Sequence, residues 1–291
     1  MNACKRAFEQ RHIGRTDILT TAALCGIDDE TAALAADAFE RERAFCEKYA
    51  PRCARKFCPR LLRKPPIVRL ACVLAATTYS HERYRELGIG DDVFAATMSD
   101  IGIWTRNCRV RDGIVGLANY PWVSHHLTLR LFRIGRLQFQ FFKLYCPLGA
   151  ISRLRKMSPP HALGESILNV HVPQGEKLDP AACEASFDAA RGFFTRHFPE
   201  YRAKCFFIDS WLLGPVNKTL LPSSSNINVF ADMFSLIAVK KCKGWDDAER
   251  IFDCKRRRVQ MLPQDTSLRR AAAKLLADGG CLERGFGIRH L

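Results

Sequence analysis

The chain has 291 residues, of which 47% are hydrophobic and 10% aromatic; that is enough apolar material for one large domain or two ordinary ones and excludes wholesale disorder. With 45 Lys and Arg against 30 Asp and Glu, its formal net charge is +15, a field that concentrates polyanions: a nucleic acid, an acidic surface, or a nucleotide cofactor with several phosphates. The longest nearly apolar run, residues 67–79, is interrupted by Arg69 and falls short of the roughly 20 residues of a membrane span. Lys5, Arg6, Glu9 and Arg11 have no apolar segment behind them, so the sequence predicts a soluble, cytoplasmic protein without a signal peptide.

The first third reads as helical. Thr16 is placed to cap a short helix ending at Gly26, and Asp28 a longer, Ala-rich one through Tyr49. Pro51, Pro59, Pro65 and Pro66 break that pattern. A helix is predicted over 67–85, and another after Asp91, where Phe94, Met98, Ile101 and Trp104 recur at helical spacing. Basic residues crowd the stretch 41–64, with nine Lys or Arg against Glu42 and Glu47, and residues 113–164 contain no Asp or Glu.

Strand character begins near Arg130. Phe132 and Ile134 alternate with polar positions, and Leu137, Phe139 and Phe141 do so on the opposite parity. The slip falls on Gly135 and Arg136 and predicts a bulge or tight turn, after which Arg136, Gln138 and Gln140 share one face. In ILNVHVP, Leu168, Val170 and Val172 face one side and Asn169 and His171 the other. The turn QGEKLDP then feeds a helix with Asp179 as cap, Pro180 at its first position, and a stripe of Cys183, Phe187, Ala190, Phe194 and Phe198. CFFIDSWLL reads as a strand, LLPSSSNINVFADMF as helical or irregular, and Thr266 caps a last helix that stops near Gly279.

A turn that opens a helix exposes backbone N–H groups and the positive end of the helix dipole, an arrangement suited to phosphate. Here the amides of 175–182 would supply it, with Lys177 as a charged clamp. The 13 cysteines are dispersed, and none has the two-residue spacing of a zinc knuckle or redox pair; Cys53 and Cys58 come closest. They read as buried thiols in a reducing compartment, and no metal is expected.

The words ELGIGDDVFAATMSDIGIWTRN, RLFRIGRLQFQ, ILNVHVPQGEKLDPAAC, SWLL, SNI, LPQDTSLRRA and GGCLERGFGI, in that order, resemble bacterial acyltransferases with an N-acyltransferase N-terminal domain and a GNAT-like C-terminal domain. The resemblance implies an α/β (α+β) fold, a GNAT-like mixed sheet flanked by helices with a helical N-terminal extension. It implies an N-acyltransferase-type domain over 1–158, helical and then strand-containing, and a GNAT-like domain over 159–291. ILNVHV would be the central strand, QGEKLDPAA the pyrophosphate loop and CFFIDSWLL the neighbouring strand, with the pantetheine arm between the two.

The implied reaction transfers an acyl group from acetyl-CoA or another acyl-CoA to the amine of a small molecule or peptide, by direct attack. Asn169, Val172, Gly175, Lys177, Ala181 and Ala182 would hold the donor. Only Gly175 represents the glycine-rich pattern usual in that loop, and Glu176 and Asp179 would repel phosphate unless turned away. Acyl transfer needs a base, a polarised carbonyl and a proton for the departing thiolate. His171 is either that base or a structural histidine. Asp209 is a base or amine-binding carboxylate, and Ser210 a backbone cap or thiolate donor. Arg136, Gln138, Trp211 and Asn226 are candidates for the acceptor site, although a solvated strand face or an Asx-turn explains them equally well. The competing reading is a non-catalytic GNAT-like scaffold that holds nucleic acid or another polyanion on its basic surface.

Overall fold

The computed structural model describes residues 12–242, 245 and 247–291. The chain forms two compact units: one takes in the chain up to Ile134 together with Pro173–Gly175, the other Gly135–Val172 and Glu176–Leu291.

The first unit is helical: α1 Arg15–Leu24, α2 Asp29–Arg41, α3 Arg43–Cys53, a 3₁₀ turn Pro59–Arg63, α4 Pro66–Glu86, α5 Asp91–Asp112 and α6 Tyr120–Leu127, closed by strand β1 Leu131–Ile134. Helix α4 is its axis. Residues 70–76 are all fully buried, as expected of a helix that is apolar all round, and α1, α2, α3, α5 and α6 all pack on it.

Two local expectations are corrected. The cap of α1 is Gly14, whose N–H donates to Asp17 Oδ2 at 2.9 Å, and Thr16 lies inside the helix. The Ala-rich helix does start at Asp28, which accepts from Thr31 N, but it breaks at Glu42 (φ −112, ψ 26) into α2 and α3. No Gly or Pro marks that break.

Midway along α5, Asp100 (3% exposed) is a hub. The indoles of Trp104 and Trp122 donate to its Oδ2 at 3.0 and 2.8 Å, and His126 Nε2 lies 3.1 Å from the same oxygen. The dispersed cysteines also converge: the Cys53 thiol neighbours Cys58, Cys72 and the Tyr120 hydroxyl, and Cys72 neighbours Cys46. Among the described residues no His, Cys, Asp and Glu grouping has metal-binding geometry, and no helix is long and apolar enough to cross a membrane.

The second unit is built on a mixed sheet. Its strands are β2 Leu137–Lys143, β3 Ser166–His171, β4 Cys205–Ser210, β5 Ser235–Lys241 and β6 Glu283–His290, in the spatial order β2–β3–β4–β6–β5. All neighbours are antiparallel except β3 and β4, which are parallel and are joined through helix α8 Pro180–His197. The short helices α7 Ile151–Arg155, α9 Asn217–Leu220, α10 Asn226–Asp232 and α11 Ala248–Phe252, and α12 Ser267–Ala277, complete the unit. The parity slip before β2 is a tight turn: Gly135 has φ +62, which a side chain tolerates poorly.

One face of the sheet packs on α8, where Phe187 and Phe194 contact Phe139 and Phe187 also contacts Phe206. On the opposite face Ile167, Cys205, Phe207, Ile237 and Ile288 close over Leu144 and Leu154. Strands β5 and β6 carry no strong sequence signal. In β6 the obstacle is its glycines, which the packing requires: a Cβ on Gly285 would lie 2.4 Å from Leu213 O. Gly285→Ala is therefore expected to destabilise the protein by about 1–3 kcal/mol, read as a lowered urea midpoint.

Candidate active site

The parallel ladder between β3 and β4 is two rungs long, Leu168 with Phe206 and Asn169 with Phe207. Beyond them each strand keeps its outer partner. His171 still faces Gln138 of β2, and Asp209 and Ser210 still face Phe286 and Gly285 of β6. The two strands thus part at their carboxyl ends, and the backbone edges that face each other there are no longer paired to each other.

Side-chain alternation sorts the lining of that gap. Val170, Ile208 and Ser210 point to the α8 side. On the other side stand Asn169, His171 and Asp209, with Gln138 and Gln140 of β2 beyond β3 on the same face. His171 Nε2 is 2.9 Å from Gln140 Oε1 and 3.2 Å from Asn169 Nδ2. Gln140 Oε1 can only accept and Asn169 Nδ2 can only donate, so the two contacts favour opposite tautomers; the shorter, to Gln140, favours the ring proton on Nε2 and leaves Nδ1 as the basic nitrogen. Gln138 and Asn169 are 1% and 7% exposed, and among the described residues Gln138 Nε2 and Asn169 Oδ1 have no hydrogen-bond partner. A buried orphan donor beside a buried orphan acceptor is unfavourable in the empty protein and suits a ligand rich in amides.

Across the gap, Asp209 is held from two sides. Tyr145 Oη donates to its Oδ2 at 2.7 Å, and Arg284 Nη1 is 3.4 Å from its Oδ1. Arg284 is fixed in turn by a two-point contact with buried Asp247, at 2.6 and 2.9 Å. Burial and then the Asp209 carboxylate push the Tyr145 phenol well above its ordinary range, which keeps it protonated.

Ser210 points away from this cluster and its Oγ accepts from Leu212 N at 3.2 Å; it is a backbone cap. That cap ends β4, so the strand reading of CFFIDSWLL stops at Ser210 and Trp211–Leu213 is a 3₁₀ turn. The turn is fixed by Asn217, whose side chain donates to the carbonyls of Trp211 and Leu212.

The loop after β3 carries the other predicted residues. Val172 is half-buried; Gly175 (φ +101), Lys177, Ala181 and Ala182 are exposed. Two expectations change here. Arg136, read as an acceptor-site residue, is buried and clamps the loop from behind: Nε donates to Lys177 O at 2.7 Å and Nη2 to Glu176 O at 2.8 Å. Ala182 N–H donates to Asp179 Oδ1 at 2.8 Å, and Cys183 N–H to Asp179 O. With Pro180 lacking an N–H, Ala181 is the first-turn amide that the cap leaves. Asn226 is exposed at the start of α10; the asparagine that ties this loop is Asn228, which donates to the carbonyls of Leu221 and Pro222. Tyr145, Gln140 and Arg284 were not foreseen, because their partners are 64, 31 and 37 residues away in the chain.

Known proteins match this chain over nearly its whole length. It is similar in structure to an acyltransferase solved in complex with decanoyl-CoA and teicoplanin, at 24% identity and a TM-score of 0.77 over 97% of this chain and 90% of that one. A structure of an acyltransferase with CoA and 10C-teicoplanin gives 24% identity and a TM-score of 0.75 over 94% and 87%. One with decanoyl-CoA gives 21% identity and 0.76 over 97% and 89%. At such identities these likenesses establish the fold. No functionally curated protein sequence matches the chain. At the level of sequence families, residues 11–129 match the N-acyltransferase N-terminal domain and residues 131–289, more than half of the chain, the GNAT-like C-terminal domain. The chain belongs to the acyltransferase family built from these two domains.

Proposed function

We propose that the protein transfers an acyl group from an acyl-CoA to an amine, with the thioester in the gap between β3 and β4. The observation that carries this reading is the two-rung ladder: sheet neighbours that keep their outer partners and abandon each other leave a slot lined by backbone. The orphan amide groups of Gln138 and Asn169 match the amides of a pantetheine arm. The diphosphate then rests on the loop 174–177 and on Lys177 more than on the first turn of α8, whose Ala182 amide Asp179 has taken.

In this reading His171 Nδ1 accepts the proton of the attacking amine, and the tetrahedral oxyanion is met by N–H groups of the β3 edge. The thiolate needs a proton on departure. Ser210 points elsewhere, and the proton that His171 took from the amine supplies it; the Tyr145 hydroxyl, a poor acid because its pKa is raised, stays a neutral donor beside Asp209. Asp209 thereby positions Tyr145 and leaves a carboxylate near the acceptor amine. The acceptor class is a small molecule or peptide, supported by the teicoplanin bound to the similar acyltransferase. We place the reaction in the cytoplasm.

The test is thermal stabilisation of the full chain by decanoyl-CoA. At about a hundred times its dissociation constant a ligand stabilises by roughly 2.7 kcal/mol. Lys177→Glu reverses a charge at an exposed loop position and should remove most of that shift without lowering the melting temperature of the ligand-free protein. A wild-type protein that acyl-CoAs leave unshifted would overturn the assignment.

A further inference from the structure

A feature of the first unit plays no part in that chemistry. The end of α3 and the chain after it form a surface groove of about 820 Å³, within the range of small-ligand sites. Lys48, Arg52, Arg55, Lys56 and Arg60 line it, against one acid, Glu47, which already faces Arg43 at 3.4 Å. Among the described residues no carboxylate pairs with Lys48, Arg52, Lys56 or Arg60. A neighbouring groove of about 340 Å³ shares Arg55, Lys56 and Phe57 and adds Arg130.

Cations at a helix C-terminus are ordinary, and Arg52 has that explanation. It does not extend to Lys56 and Arg60, which lie beyond the helix in the concave part of the surface. The crowding is felt inside: the Arg83 guanidinium, which donates to Ala54 O, is held below its usual range by burial and by neighbouring Arg55. Concentrating like charges in a concavity is unfavourable unless an anion occupies it.

Between the two grooves lies Phe57, 41% exposed and stacked at 5.4 Å and 17° on Tyr120, which is buried and whose hydroxyl oxygen accepts from Cys58 N–H at 3.0 Å. A flat ring held from behind and open in front, beside several cations, is a platform for a planar base followed by phosphates. We propose that this groove binds a nucleoside di- or triphosphate, its phosphates on Arg52, Lys56 and Arg60 and its base on the open side of Phe57. The site is separate from the acyl-CoA slot.

Fluorescence titration of the full chain with a labelled ATP, with tripolyphosphate, CoA and a 12-nucleotide single-stranded DNA as competitors, tests this. ATP should bind, and tripolyphosphate should compete on the order of tenfold more weakly for lack of a stacking ring. Phe57→Leu should erase that difference. The double variant Arg52→Glu/Arg60→Glu should weaken ATP by on the order of a hundredfold and leave the thermal shift with decanoyl-CoA intact. The proposal fails if ATP does not bind, or if reversing Arg196 and Arg202 instead weakens ATP equally. It fails also if the DNA competes far better than ATP, or if the double variant loses the decanoyl-CoA shift. Absence of any acyl-CoA shift in the wild type would sink the transferase reading alone and leave the ATP arm to be judged by itself.

Discussion

His171→Ala is expected to lower kcat for acyl transfer by about 10²–10⁴-fold, the usual contribution of a positioned general base. The geometry explains why the loss should fall on kcat. The ring is oriented by its contacts at Nε2, of which the one to Gln140 Oε1 at 2.9 Å is the shorter; with the proton there the other nitrogen is the basic one, and the ring stands at the carboxyl end of β3 where the ladder to β4 has ended. KM for the acyl-CoA should change little, because in the proposed binding mode the donor is held by backbone and by the loop after β3. The acidic limb that the base imposes on the kcat/KM profile should disappear in the variant. Gln140→Leu, which removes only the orienting acceptor, should give a smaller loss of the same kind. A purely structural histidine would instead lower the melting temperature and leave the pH profile of the surviving activity unchanged.

The second large effect concerns stability. Asp100→Ala removes one carboxylate and deprives two indole N–H groups of their acceptor at once, in surroundings where Asp100 is 3% exposed and His126 fully buried. Breaking a buried polar network in this way is expected to destabilise by about 3–5 kcal/mol, measured as a shift of the urea unfolding midpoint. Asp100→Asn keeps an acceptor oxygen at the same place and should lose roughly half as much. If Asp100→Ala proves as stable as the wild type, the hub is not a structural element of this unit.

The sequence made some of this legible and not the rest, for physical reasons. Elements whose signals are local were readable: Asp28, Asp179 and Thr266 cap their helices through their own side chains, and the slip at Gly135 is a turn with positive φ. That Asn169 and His171 share one face of their strand followed from alternation alone; that Asp209 lies on the same side is set by the register of β3 against β4. What local pattern does not carry is the identity of neighbours. Gln138 and Gln140 look like a solvated strand face, and they are buried because β3 lays Asn169 and His171 against them. Arg136 looks like a surface cation, and it is buried because the carbonyls of Glu176 and Lys177 return to it from some 40 residues on. Cys46, Cys53, Cys58 and Cys72 have no motif spacing, yet helical packing gathers their thiols. The break at Glu42 has no residue-level marker at all. The bulge between Leu236 and Ala238 likewise interrupts the alternation that would have revealed β5.

The short ladder between β3 and β4 also bears on how such an enzyme can diversify. Its opening is written in hydrogen-bond register, so no particular side chain has to be small for the slot to exist. Substitutions along its walls can retune which tail length fits without shutting the passage. In the proposed binding mode, donor class and preferred chain length are thereby set by different features, the first by the backbone and the second by the side chains.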